Sequence, residues 1–188
     1  MAEVKVLLDG FLSADDYDAR CGTTACLIRD GKNIIVSDPG VGDQKNIISA
    51  LEKEGVKVED VNFVFITHSH LDHYRNMAIF PDAKTIEYWG IWKKDGSAKD
   101  LPKEFSKDIE IIKTPGHDYS SLTMFVKTKE GVVAICGDVF WKENFPKKDP
   151  YASDSARLEE SRKLILSKAD FVVPGHGKMF KVGHGISN

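Results

Sequence analysis

Apolar positions along the chain recur in short β-branched runs broken by Gly, Pro and Asp, with two longer stretches of helical period. Residues 4–9, 24–28 and 33–36 read as strands, and Asp30-Gly31 between the last two supplies hairpin turn chemistry. The polar residues 13–18 read as a loop. Residues 43–54 carry Ile47, Ile48 and Leu51 as an apolar stripe and stop at Gly55, which predicts an amphipathic helix. Residues 61–67 are apolar and β-branched and predict a buried strand. Further strands are predicted over 85–89, 109–114, 122–128, 132–136 and 171–173. Residues 93–108 are charged and irregular and read as a surface loop; 141–151 contain Pro146 and Pro150 and read as another. Residues 154–167 predict a second helix, with Asp154 or Ser155 as N-cap and Leu158, Leu164 and Ile165 as apolar anchors. The tail over 183–188 is expected to fray. With no repeat period and no linker, the pattern predicts a single domain over residues 1–188.

Several of these strands end on side chains with ligand chemistry. The 61–67 run leads into His68-Ser69-His70-Leu71-Asp72-His73, three imidazoles and one carboxylate in six residues. Extended backbone points residues two apart to the same side, so His68 and His70 can converge on one ion. Asp72 and His73 follow where the chain turns into a short helix, and can face a different ion. Buried polar groups cost free energy unless paired, and nothing structural asks for four of them together. The same event recurs downstream. The 109–114 strand passes through Pro115-Gly116 to His117, the 132–136 strand through Gly137 to Asp138, and the 171–173 strand through Pro174-Gly175 to His176. A Gly ahead of the ligand lets the backbone turn sharply at the sheet edge. Together they describe one sheet edge lined with metal ligands.

Composition narrows the class. A chain of 188 residues can bury a sizeable core, and 41% hydrophobic with 29% charged residues is ordinary for a globular protein. A net charge of −3 argues against a general nucleic-acid binder. No apolar run is long enough to span a bilayer, and the first residues do not form a signal peptide, so a cytoplasmic location is expected. The 3 Cys follow no disulfide-framework pattern. All are expected to be free thiols in a reducing compartment, with Cys136 a small buried hydrophobe.

Taken in order, His68-x-His70-x-Asp72-His73, Thr114-Pro115-Gly116-His117, Gly137-Asp138 and Pro174-Gly175-His176-Gly177 resemble the motif set of the metallo-β-lactamase superfamily. Ser37-Asp38-Pro39-Gly40 is similar to its first motif. Gly137-Asp138-Val139-Phe140, Ser161-Arg162-Lys163 and the run from Ala169-Asp170 to Phe180-Lys181-Val182 resemble its subgroup of metallo-β-lactamase domain-containing protein 1 and prokaryotic relatives. The resemblance implies an α/β (α+β) fold, a four-layer αββα sandwich with two metal ions at one edge. It implies that His68, His70 and His117 hold the first ion, that Asp72, His73 and His176 hold the second, and that Asp138 bridges them. It places Asp38 behind a ligand imidazole, orienting it by a hydrogen bond; His184 is read as a bystander.

All-N/O ligation suits two Zn²⁺ per chain, with Fe or Mn as alternatives. The implied activity is that of a dinuclear-zinc-dependent hydrolase using a metal-bridging hydroxide on an ester, thioester, lactone or phosphodiester bond. Asp72 is the expected catalytic residue, orienting the hydroxide or shuttling its proton. One alternative is a (ribo)nuclease or phosphodiesterase, which the subgroup resemblance favours and the net charge disfavours. A further alternative is a mononuclear-iron persulfide dioxygenase-like oxidoreductase. The chain stops soon after His176, so the helical substrate domain of glyoxalase II-like enzymes is not expected. Tyr74, Tyr119, Phe140 and Trp141 follow ligand positions and are candidates for the substrate pocket, and Arg75 for reading an anionic group. The expected partner is a small-molecule substrate, with RNA as the alternative. No membrane association is expected, and the oligomeric state is left open, a homodimer included.

Overall fold

The computed structural model describes residues 1–13 and 20–183. The chain opens with β1 (Glu3–Leu8) and a two-stranded ribbon of β2 (Phe11–Leu12) and β3 (Cys21–Gly22). The predicted hairpin follows as β4 (Ala25–Asp30) and β5 (Asn33–Ser37). Asp30 pairs with Asn33 across a turn in which Gly31 takes φ +60°, the left-handed conformation this tight reversal needs. Next come α1 (Gln44–Lys53), β6 (Phe63–Phe65), a short α2 (Leu71–Tyr74), β7 (Lys84–Glu87), β8 (Gly90–Trp92) and β9 (Ala98–Lys99). These strands form a seven-stranded sheet in the order β1-β4-β5-β6-β7-β8-β9. The second sheet has five strands, in the order β10 (Ile109–Lys113), β11 (Leu122–Thr128), β12 (Gly131–Gly137), β13 (Phe171–Pro174) and β14 (Phe180–Lys181). The helix α3 (Ser155–Lys168) connects β12 to β13.

Alternation along the strands sorts the core into three layers. From β4, Cys26 and Ile28 point to one face, where they meet Ile35, Phe65 and Ile86 and, from the other sheet, Ile111, Met124, Val133 and Ile135. This is the sheet-on-sheet core. Ala25 and Leu27 point to the opposite face and pack with Val36 and Val64 beneath Ile47 and Leu51 of α1. On the far side, Phe125, Ala134, Cys136 and Val172 pack beneath Leu158 and Ile165 of α3. Helix, sheet, sheet and helix are thus stacked as four layers, the αββα arrangement.

Both long helices start on an Asp cap, and for α3 it is the first of the two candidates in the sequence. Asp43 accepts a hydrogen bond from Lys45 N at 2.9 Å, and Asp154 accepts from Ala156 N and Arg157 N, each at 3.0 Å. One predicted anchor is corrected. Leu164 is 37% exposed, whereas Ser161 and Arg162 face inward from α3. Ser161 Oγ donates to Pro115 O at 2.7 Å and Arg162 Nε to Val139 O at 2.9 Å. The inner face of α3 therefore serves backbone carbonyls near the sheet edge as well as the core.

Other boundaries shift for local reasons. The predicted 61–67 strand narrows to Phe63–Phe65, because Thr67 N donates to the Asp38 carboxylate at 2.9 Å rather than to a neighbouring strand. The 85–89 strand ends at Glu87, and Tyr88 and Trp89 turn the chain into β8. The 93–108 stretch is mostly irregular but contributes β9, and β14 adds an edge strand that the apolar pattern does not announce. The predicted loop over 13–18 and the tail over 183–188, with His184, lie almost wholly outside the described residues. Among the described residues, no helix is long and apolar enough to cross a membrane.

Candidate metal centre

Parallel pairing gathers the ligand-type residues. β5 and β6 run parallel with Ser37 opposite Phe65, so Asp38 and the segment leading to His68 leave the first sheet side by side. β12 and β13 run parallel with Gly137 opposite Pro174, so Asp138 and His176 leave the second sheet side by side. Leu122 N donates to Thr67 O at 2.7 Å and ties the two sheets together at this edge. The approach is close enough to require glycine. A Cβ on Gly175 would collide with Asp138 Oδ1, and Gly137 holds φ +52° where a Cβ would collide with Thr67 Oγ1.

Six of the seven predicted ligands meet there in two groups, and the seventh, Asp72, stands beside the second. His68, His70, His117 and Asp138 form one, and His73, Asp138 and His176 form the other, with the ligand atoms of each within 4.8 Å of one another. Asp138 belongs to both. Its Oδ1 lies 3.3 Å from His73 Nε2, and its Oδ2 lies 3.2 Å from His176 Nε2 and 3.4 Å from His117 Nε2. Asp72 Oδ2 stands 3.5 Å from His176 Nε2 and 3.7 Å from His73 Nε2, on the side of the second group. His70 Nδ1 lies 3.1 Å from His117 Nε2.

Behind the ligands, each buried imidazole is held by its other nitrogen. Asp38 Oδ2 stands 2.9 Å from His73 Nδ1, and Asp149 Oδ2 stands 2.7 Å from His117 Nδ1. Gly22 O lies 3.2 Å from His176 Nδ1, and Thr67 Oγ1 3.2 Å from His68 Nδ1. Asp38 sits at φ +39°, an unusual conformation for a non-glycine residue, fixed by bonds from both the amide and the hydroxyl of Thr67.

The donor set fits divalent ions on a direct observation. His68 Nε2, His73 Nε2 and Asp138 Oδ1 are buried without a hydrogen-bond partner. A buried unpaired polar atom costs about 1–3 kcal/mol, and three of them converge on one small volume. Bound cations would supply the missing partners.

Charge is arranged to match. Burial alone would raise Asp138, but the neighbouring His73 and His176 outweigh it and hold the carboxyl well below the usual range. Burial would lower His73, but Asp138 and Asp38 outweigh it and raise the imidazole well above its ordinary value. His176 is raised in the same way, chiefly by its hydrogen bond to Asp138 against the effect of burial. His68 and His70 go down, first through burial and then through His73 beside the one and His117 beside the other. Burial and the adjacent Asp72 push the Cys21 thiol up to about 11.

The candidate pocket residues divide. Tyr74 and Tyr119 line a cavity of about 200 Å³ with His68, Met77, Tyr88 and Trp89. Phe140 is packed against Phe180, in the core beneath α3. Trp141 stacks on Tyr151 and sets its ring edge-on to His117, with centroids 6.2 Å apart. Arg75 is exposed. Sequence reasoning missed Asp149, which lies in a charged loop and is joined to His117 only by the fold. It also missed Cys21, whose Sγ is 3.5 Å from Asp72 Oδ2.

Residues 18–116 match the family model of the metallo-beta-lactamase superfamily. A Xenopus laevis relative, metallo-beta-lactamase domain-containing protein 1, is 31% identical over 193 residues, which span 95% of this chain and 81% of the relative. The mouse protein of that name is 33% identical over 160 residues, and the match spans 79% of this chain but 61% of the mouse chain. Among solved structures, a metallo-beta-lactamase-like protein of Thermotoga maritima matches with a TM-score of 0.74 at 19% identity, over 96% of this chain and 99% of that one. A dizinc quorum-quenching lactonase with a bound homoserine product matches with a TM-score of 0.64 at 16% identity, over 84% of this chain and 74% of the lactonase.

Proposed function

The chain belongs to the metallo-beta-lactamase superfamily, and on that premise we propose that it is a dinuclear zinc hydrolase of small, uncharged esters, thioesters or lactones bearing an apolar group. The observation that carries the two-ion reading is the sharing of Asp138 between two groups of ligand atoms. His68, His70 and His117 would hold one ion, Asp72, His73 and His176 the other, and Asp138 both. Such a pair supplies a nucleophile from water near neutral pH and polarises the substrate carbonyl.

The chain's own groups do the positioning. Asp38 and Asp149 fix the His73 and His117 rings, so that the opposite nitrogens stay available for ligation. The Asp72 side chain is 25% exposed, which leaves Oδ2 able to orient water and to pass a proton toward solvent. Among the described residues, the lining of the aromatic cavity beside His68 includes Glu87 and no Lys or Arg, the nearby Lys113 lying against the Tyr88 ring at 3.8 Å. That lining suits an apolar substituent better than a polyanion, which favours the ester class over nucleic acid. The dizinc lactonase of the same fold supports this choice.

The test is turnover of a panel of acyl thioesters, acyl lactones and phosphodiesters by metal-free and zinc-reloaded protein. Zinc-dependent hydrolysis of an acyl ester, thioester or lactone is expected. Zinc-dependent cleavage of phosphodiesters alone would replace this reading with a phosphodiesterase. Persulfide-dependent oxygen uptake by iron-loaded protein would replace it with an oxidoreductase.

A further inference from the structure

Three consecutive residues of the β2–β3 ribbon segment touch the second ligand group. Gly22 O holds His176 Nδ1, Thr23 Oγ1 donates to Asp72 O at 2.7 Å, and Cys21 Sγ reaches Asp72 Oδ2 at 3.5 Å. Cys26 and Cys136 are sealed in the cores at 0% and 1% exposure, whereas Cys21 is half-buried at the site itself. The ligand atoms of Cys21, Asp72 and His176 lie within 4.8 Å of one another. An independent observation points to the same place. His73 Nε2 is buried, has no hydrogen-bond partner, and faces the same Asp72 Oδ2 at 3.7 Å.

The separations from Asp72 Oδ2 are close to those of neighbouring donors on one ion. With bond lengths of about 2.3 Å to sulfur and about 2.0–2.2 Å to nitrogen and oxygen, donors about 90–110° apart stand about 3.1–3.6 Å apart for S/O pairs and about 2.9–3.4 Å apart for N/O pairs. Asp72 Oδ2 stands 3.5 Å from Cys21 Sγ, 3.5 Å from His176 Nε2 and 3.7 Å from His73 Nε2.

We infer that Cys21 Sγ is a ligand of the second metal ion, a soft donor outside the all-N/O set that the sequence motifs supply. The inference rests on the two-ion reading above. On coordination the thiol proton leaves to solvent and a sulfur lone pair binds the ion, with no change of oxidation state. The two positions then differ in kind, since the first has nitrogen and oxygen donors and the second adds thiolate. Thiolate favours zinc over a harder ion such as manganese. It also occupies a coordination place, so the open position for water and substrate lies toward the first ion.

The experiment is stepwise Co²⁺ loading of the full-length, metal-free protein, followed by absorption, in wild type and C21S. The wild type is expected to gain a near-ultraviolet thiolate-to-cobalt charge-transfer band with the second equivalent. C21S is expected to bind both equivalents, keep its visible ligand-field bands and lose that charge-transfer band. In chelator competition its second zinc ion should be weakened by more than the about 10–100-fold that losing an outer hydrogen-bond partner costs. Identical near-ultraviolet spectra in the two proteins, with both equivalents bound, would overturn the Cys21 assignment and leave the two-ion reading standing. Failure of the wild type to take up cobalt would overturn both.

Discussion

The Asp38→Asn substitution isolates what a hydrogen bond behind a ligand does to metal binding. Asp38 accepts from Thr67 N at 2.9 Å and from Thr67 Oγ1 at 2.7 Å, and its Oδ2 lies 2.9 Å from His73 Nδ1. Its φ of +39° is one that Asn also tolerates. The amide can replace every contact. Its oxygen still accepts from Thr67 N, the Thr67 hydroxyl rotates to accept, and the amide NH₂ donates to His73 Nδ1. The last exchange reverses the imidazole. Nδ1 becomes the acceptor, the proton moves to Nε2, and Nε2 is the atom that faces the ion. Ligation must then pay for the unfavourable tautomer. Outer hydrogen-bond partners of metal-bound His are worth about 10–100-fold in affinity, or about 1.4–2.7 kcal/mol. The second zinc ion should weaken by that factor in chelator competition, while the first ion and the melting temperature of the metal-free protein change little. Asp38→Ala would be a poorer probe, because each buried donor left unpaired costs about 1–3 kcal/mol of stability. Wild-type affinity at both positions in the Asn variant would refute the argument.

Acid should remove the ions in order. A proton and an ion compete for the same nitrogen, His73 and His176 hold protons to higher pH than an ordinary imidazole, and His68 releases its proton at lower pH. Metal content after dialysis at falling pH is therefore expected to pause near about one ion per chain, and simultaneous loss would contradict this ordering. Trp89→Ala, at the 66% exposed mouth of the aromatic cavity, should raise KM for acyl substrates with kcat little changed, as read by steady-state kinetics on long and short acyl chains. Leu51→Ala removes a fully buried side chain between α1 and the first sheet and should cost about 2–5 kcal/mol in chemical denaturation, leaving metal stoichiometry intact.

How much could be read in advance follows from how local each signal is. His68, His70, Asp72 and His73 lie within six residues after one strand, so their convergence needs little more than backbone geometry. His117, Asp138 and His176 each announce themselves by a strand followed by Gly. Cys21 and Asp149 give no such signal. Their contacts span 51 and 32 residues and depend on where a ribbon and a loop settle over the sheet edge. Leu164 lies outside the core because apolar identity alone does not fix the phase of α3. The helix turns Arg162 inward, its guanidinium bonded to the Val139 carbonyl, and leaves Leu164 outside. Tyr74 and Tyr119 line one cavity with Tyr88 and Trp89 of the turn after β7, which sets the Tyr88 ring against Tyr119, a grouping invisible in one dimension.

The reading stands or falls on whether hydrolysis requires two ions held across Asp138. Zinc is titrated into the metal-free chain while bound metal per chain and hydrolysis of an acyl thioester or lactone are followed together. About two ions are expected to bind per chain, with the rate rising on the second equivalent. Full activity at about one ion per chain, with no further rise, would contradict it.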